Sequence, residues 1–440
     1  MRDNGRKLAE LPDSIRGTVP LSAAIERFGD VQGNILRKHG RPFAAHIFVT
    51  FDQERLNELR VWIAEFARTA IPSCADELAG RSDGAFATLL LSASGYRTLG
   101  IDPPAGRSFR DGMKKAALND PPPENWDEGY RAPIDAMVIV AGRNQAELDA
   151  AMVAVEPLFE LTQSFIIELG AELPGGIEHF GFVDGISQPI FLDEEVDEVR
   201  SARGGQLMWD PATPLHVVLA HDPHGHGEES YGSYFVFRKL HQDLAVFEGG
   251  LRDMASALGV TEEKAGAMIV GRFKDGTPLA VSKTSGAGPV NDFAFADDQE
   301  GAKCPFASHV RRVNPRGELD HVAHTPDWQN RIARRGIPYG RPGDPDVGLL
   351  FMCYQSDIEL QFEVIQSNWC NFPHFPVLRT GRDPLVGQRN SWDDSAGQKW
   401  SAPAEDGTFA TFDVPQCVTM RGGEYFFAPS LSFLRGLAPE

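Results

Sequence analysis

Apolar residues in the first half of the chain switch between a period of two and a period near 3.6. Ala45–Phe51 alternates and is β-branched enough for a strand, and Gln53–Thr69 then carries Leu56, Leu59, Ile63 and Phe66 at helical spacing. Ala87–Ser92 reads as a second strand, Ile134–Ala141 as a third, Gln145–Phe159 as a helix and Gln163–Leu169 as a fourth strand. The order β-α-β-β-α-β is that of a ferredoxin-like unit. Ile101–Pro133, with Pro121, Pro122 and Pro123, follows neither period and is expected to be an irregular surface excursion.

The second half repeats the idea with larger insertions. A strand is expected at Ser233–Arg238, helices over Leu244–Leu258 and Thr261–Val270, a strand at Val347–Tyr354, a helix near Glu359–Asn368, and closing strands at Phe409–Val418 and Glu424–Ala428. Residues 271–346 are too long for an ordinary connection, and stretches of that kind usually carry function or are disordered.

The composition, 440 residues with 42% hydrophobic and 24% charged, suits two cores or one large bilobal one. A formal charge of −20 repels nucleic acid and anionic membranes, which argues against both as main partners. The charged start Met1–Lys7 is followed by no apolar run of signal-peptide length, and no segment is apolar enough to span a bilayer, so the expectation is a cytoplasmic protein. The cysteines, Cys74, Cys304, Cys353, Cys370 and Cys417, are odd in number and scattered, which suits reduced thiols.

The segment Glu178-His179-Phe180-Gly181-Phe182-Val183-Asp184-Gly185-Ile186-Ser187-Gln188-Pro189 carries the first chemical hint. Gly181 and Gly185 permit tight turns, and Phe182, Val183 and Ile186 would surround the Asp184 carboxylate with apolar material that raises the cost of its charge. The plainer alternative is an Asp-Gly turn leading into Pro189.

This Gly-x-x-Asp-Gly string, followed by Ile-Ser-Gln-Pro, resembles that of the dye-decolorizing peroxidases, a family of haem enzymes. Four more segments resemble the same family in the same order. Val31–Leu36 matches its opening segment, Cys304–Arg316 its haem-ligand segment, Arg334–Gly340 its distal-arginine segment and Gly423–Ser430 its last strand. The resemblance implies an α+β fold of two ferredoxin-like lobes with antiparallel sheets and peripheral helices, of the dimeric α+β barrel type. It divides the chain into an arm over 1–30, an N-terminal domain over 31–200 and a haem-binding domain over 201–440.

The resemblance also implies a haem peroxidase that reduces hydrogen peroxide and oxidises small aromatic donors such as dyes and phenolics. No Cys-x-x-Cys-His occurs, so the implied cofactor is haem b without thioether links. His309 would be the iron ligand, Asp184 the acid–base group and Arg334 the cation that stabilises O–O heterolysis. Aspartate stays a base at acidic pH, which predicts an acidic optimum for donor oxidation. Gly185 would line the cofactor, Leu349 and Phe351 would roof the distal pocket or simply be strand core, and Arg311 would reach a haem propionate or be solvated. Arg335 is the nearest alternative to Arg334, which itself also fits a surface helix end. Where some relatives carry an asparagine two residues after the distal arginine, this chain has Gly336.

His221-Asp222-Pro223-His224-Gly225-His226 is rich enough in ligands for a metal, but its glycine and proline favour a solvated loop. His321 and His324 match no motif role. Tyr339, Tyr354 and Trp369 are the aromatic residues nearest the active segments for a relay to bulky donors. Two other readings compete, a non-catalytic haem carrier and a chlorite-dismutase-like haem enzyme; neither accounts for the aspartate in its glycine setting. Oligomeric state and the physiological donor leave no trace in the sequence.

Overall fold

The computed structural model describes residues 2–3, 6–7, 12–318, 327–378, 380–388, 399–403 and 408–439. His321 and His324 lie outside them. The first lobe supplies β1 (Phe43–Phe51), β2 (Phe86–Ser92), β3 (Ala136–Gly142) and β4 (Thr162–Ala171), and the second supplies β5 (Tyr231–Gln242), β6 (Ile337–Tyr339), β7 (Gly348–Gln355) and β8 (Val418–Ala428). Each lobe places its first and third strands at the centre, with order β2-β3-β1-β4 in one and β8-β5-β7-β6 in the other. That is the ferredoxin-like order twice over. The pairs β4–β6 and β2–β8 join the lobes, and all these pairings are antiparallel, so the eight strands close into a barrel without a free edge.

The helices start where side chains can satisfy their first N–H groups. Asn144 caps α2 (Gln145–Val153), Asp243 caps α3 (Leu244–Leu258) and Thr261 caps α4 (Glu262–Val270). The last two end on Gly259 and Gly271 in left-handed conformation. α1 (Leu56–Thr69) buries Leu59, Ile63 and Phe66, as its spacing predicts. Strands β2 and β3 are buried at every position because barrel core covers one face and packed side chains the other.

Several elements differ from the sequence reading. Ile101–Pro133, expected to be an irregular surface excursion, holds short helices at Arg107–Asp111 and Glu128–Arg131 and buries Phe109, Met113, Trp126 and Tyr130, and the helix expected over Gln145–Phe159 is broken into Gln145–Val153 and Glu156–Phe159. β6 was missed: it is three residues long and holds Pro338, so it has neither the length nor the donors of a typical strand. Phe409–Asp413 pairs with Lys399–Pro403 in a separate ribbon, and the barrel strand is the single run Val418–Ala428 with a bulge between Met420 and Gly422. The helix expected near Glu359–Asn368 is α6 (Glu359–Cys370), wound as a π-helix. π-Turns recur at functional sites, and this one turns Phe362, Ile365, Gln366, Trp369 and Cys370 toward one cavity.

Candidate active site

The cavity lies against the outer face of β5 and β7, where Arg238, Leu240 and Gln242 stand beside Phe351 and Leu349 in register. α6 walls another side, and the turn carrying Asp184 meets the segment carrying Arg334 at the top. Its walls are largely apolar, but among the described residues five arginines (238, 272, 316, 331 and 334) face it against two carboxylates, Glu178 and Asp184.

Asp184 is placed by backbone. Gly181 and Gly185 adopt φ of 89° and 75°, conformations that cost a glycine little, and Asp184 N donates to Gly176 O at 3.0 Å. Arg334 belongs to a two-residue strand paired to the end of β7, opposite Cys353. Its Nη1 donates to Asp184 Oδ1 at 2.9 Å, its Nη2 to Ser187 O at 3.2 Å, and its main-chain N to Gln188 Oε1 at 3.0 Å. Gly185 N donates to the same Oδ1 at 2.6 Å, so among the described residues both donors converge on that one oxygen of a carboxyl in the cavity wall. Burial by itself pushes the Asp184 carboxyl up, as its apolar setting predicts. The Arg334 guanidinium and the Gly185 amide outweigh it and hold the carboxyl below its ordinary value.

On another wall, His309 opens the short helix α5 (His309–Val313). Its Nδ1 lies 2.9 Å from Asp383 Oδ2, and Asp383 Oδ1 accepts from Leu385 N and Val386 N, each at 2.9 Å. Asp383 is fully buried; burial pushes its carboxyl up, and the His309 imidazole, the Val386 amide and the Arg312 charge bring it below the usual range. An ionised partner at Nδ1 keeps the proton there and leaves the Nε2 lone pair as a donor. That is the donor an axial haem site needs, and the apolar walls with their excess of guanidinium suit a flat, dianionic porphyrin.

Leu349 and Phe351 line the cavity, as does Gly185. Arg311 does not. It is fully buried on the far side of α5, with Nη1 on Asp298 Oδ2 at 2.8 Å and Nε on Glu318 Oε1 at 3.0 Å. Arg311 therefore does not reach the cavity that would hold a propionate, because residues two apart on a helix point to different sides. Arg272 and Arg316 occupy the cavity wall instead. Arg311→Ala would strand two acids in the protein, and a loss of about 3–5 kcal/mol is expected in chemical unfolding.

Arg335 turns away to donate to Asn34 O at 2.7 Å and Ile35 O at 2.8 Å, which ties the Val31–Leu36 segment to the site. A Cβ at Gly336 would meet Leu349 at 3.6 Å, in ordinary contact. His224 Nε2 donates to Asp102 O at 2.7 Å, and no group of three metal-ligating residues exists among the described residues. Of the three relay aromatics, Trp369 reaches the cavity wall, Tyr354 is buried beside Phe235, and the Tyr339 hydroxyl lies 3.3 Å from Asp346. The sequence reading missed Asp383, Glu178, Arg238 and Gln242. Only Glu178 had a local signal, its place in the Gly-x-x-Asp-Gly segment.

Residues 212–374 match the family model described as Dyp-type peroxidase, C-terminal. The chain is 39% identical to the multifunctional dye peroxidase DyP2 of Amycolatopsis sp., over 93% of this chain and 95% of that protein. It belongs to the dye-decolorizing peroxidase family. The crystal structure of a DyP-type peroxidase from Anabaena sp. superposes with a TM-score of 0.88 at 36% identity, covering 98% of this chain and 99% of that one. The solved structure of the Amycolatopsis DyP2 gives 0.86 at 37% identity, covering 95% and 99%. The dye-decolorizing peroxidase msp1 of Mycetinis scorodonius is 33% identical over 78% of this chain and 74% of its own. The chain is thus a peroxidase of the dye-decolorizing kind, and its family implies a haem cofactor. No helix among the described residues is long and apolar enough to cross a membrane.

Proposed function

We propose that the cavity holds non-covalent haem b on His309 Nε2 and reduces hydrogen peroxide with Asp184 as acid–base and Arg334 as its electrostatic partner, at the expense of small aromatic donors. The observation that carries this is the 2.9 Å pair between Arg334 Nη1 and Asp184 Oδ1 in the wall of the cavity that His309 also faces. When bound, haem supplies the redox centre that accepts peroxide and passes on its oxidising equivalents singly. Asp184 Oδ2 takes the proton of the peroxide hydroxyl and returns it to the oxygen that leaves as water. The Arg334 guanidinium stabilises the charge that develops as that bond breaks. Leu349 and Phe351 line the same cavity and would help to exclude bulk water from it once the cofactor is in place.

Asp383 holds the His309 proton at Nδ1. Asp383→Ala is expected to weaken haem retention by about 10–100-fold, read as the rate of haem transfer to excess apomyoglobin. The proposal itself is tested by the absorption spectrum of the purified protein. An intense Soret band that shifts with one equivalent of peroxide is expected; a Soret band indifferent to peroxide would mark a haem carrier.

A further inference from the structure

Glu178 is the other carboxylate in the cavity wall, and the proposed peroxide chemistry does not use it. Its Oε1 accepts from Phe182 N at 3.0 Å, and its Oε2 from Phe180 N at 2.9 Å and from Gln242 Nε2 at 2.5 Å. Main-chain bonds close the same turn: Glu178 N to Phe182 O at 3.0 Å and Gly181 N to Glu178 O at 2.8 Å. One carboxylate therefore satisfies two inward-facing amides of the turn and ties it to the last residue of β5, in the second lobe's barrel wall. Such convergence of N–H donors suits an anion. Burial pushes the Glu178 carboxyl up, with Asp184 adding to it, while the Phe180 and Phe182 amides and Gln242 oppose both. The turn's return leg is held at Val183 N to Lys274 O, 3.2 Å, and leads directly into Asp184.

We propose that Glu178 is a positioning residue, whose carboxylate clamps the 178–184 turn onto Gln242 and so sets where Asp184 stands against Arg334. This rests on the reading of Asp184 as the acid–base group. In Glu178→Gln one oxygen becomes an NH2 group facing a main-chain donor. The buried Gln242 Oε1, which has no partner among the described residues, can accept from an NH2 on its own side, so the loss falls on the turn.

The test is a double-mutant cycle on the holoenzyme, with the bimolecular rate of the peroxide-induced spectral change as readout and the thermal midpoint and resting Soret position as controls. Glu178→Gln is expected to slow the rate by about 10–100-fold beside Asp184, as small misplacements of reacting groups do. In an Asp184→Asn background the same change is expected to cost less than about 2-fold, because a displaced group that no longer acts has nothing left to lose. A merely structural residue would lower the thermal midpoint and slow both backgrounds equally. Equal losses in the two backgrounds, or none in either, overturn the proposal. If Asp184→Asn alone leaves the rate unchanged, it is the acid–base reading that fails. Gln242→Met, which removes only the tie to the barrel, serves in the same cycle with the same two outcomes where Glu178→Gln does not fold.

Discussion

Asp184→Asn is expected to slow the reaction with hydrogen peroxide by about 10²–10⁴-fold, the usual contribution of a positioned proton-transfer group. The substitution is nearly isosteric, and the amide oxygen still accepts from Arg334 Nη1 and Gly185 N, the two donors now gathered on Oδ1. What it removes is the ability of the other atom, Oδ2, to carry a proton between the two peroxide oxygens. Haem content and the thermal midpoint are expected to change little. Stopped-flow mixing at several peroxide concentrations separates this loss from weaker peroxide binding, because the deficit persists at saturation.

Arg334→Leu is expected to lower the same rate by about 10²–10³-fold, the range seen when one preorganised charge-stabilising donor is lost. It carries a second consequence that an uncharged substitution elsewhere would not. Burial raises the Asp184 carboxyl and the guanidinium is the first of the groups that lower it, so without Arg334 the carboxyl rises. The acid limb of the rate profile therefore moves to higher pH in Arg334→Leu. Arg334→Lys keeps the charge and loses the fork to Asp184 Oδ1 and Ser187 O, so it is expected to keep the limb low while recovering only part of the rate.

Much of the fold was legible because both lobes obey simple periodicity. Strands such as Phe86–Ser92 are apolar over most of their length, and helices such as Leu56–Thr69 present one apolar face. Ile337–Tyr339 was not legible, since a three-residue strand containing proline is stabilised by its neighbours β4 and β7 rather than by its own residues. Nor was the π-winding of Glu359–Cys370, which leaves apolar spacing close to that of an ordinary helix.

The site divides in the same way. Asp184, His309 and Arg334 stood in segments with a local pattern, and the structure brings all three to one cavity. Asp383 did not: it lies 74 residues from His309, in an Asp-Pro turn of a common kind, and only the tertiary fold joins them. Arg311 failed for the opposite reason. Its place in the motif was read as a cofactor contact, whereas its burial against Asp298 and Glu318 makes it the footing of the helix that carries His309.

The central claim is that a carboxylate, held low by a guanidinium, moves the peroxide proton. It is tested most directly by the pH dependence of the bimolecular rate with peroxide, for the native protein and for Asp184→Asn. The account predicts a native rate that stays level from neutrality down past the ordinary aspartate value of about 3.9 and falls only below it, as Oδ2 becomes protonated, with that limb absent from the variant. A native limb centred near the imidazole value of about 6.5, or the same limb in both proteins, would contradict it.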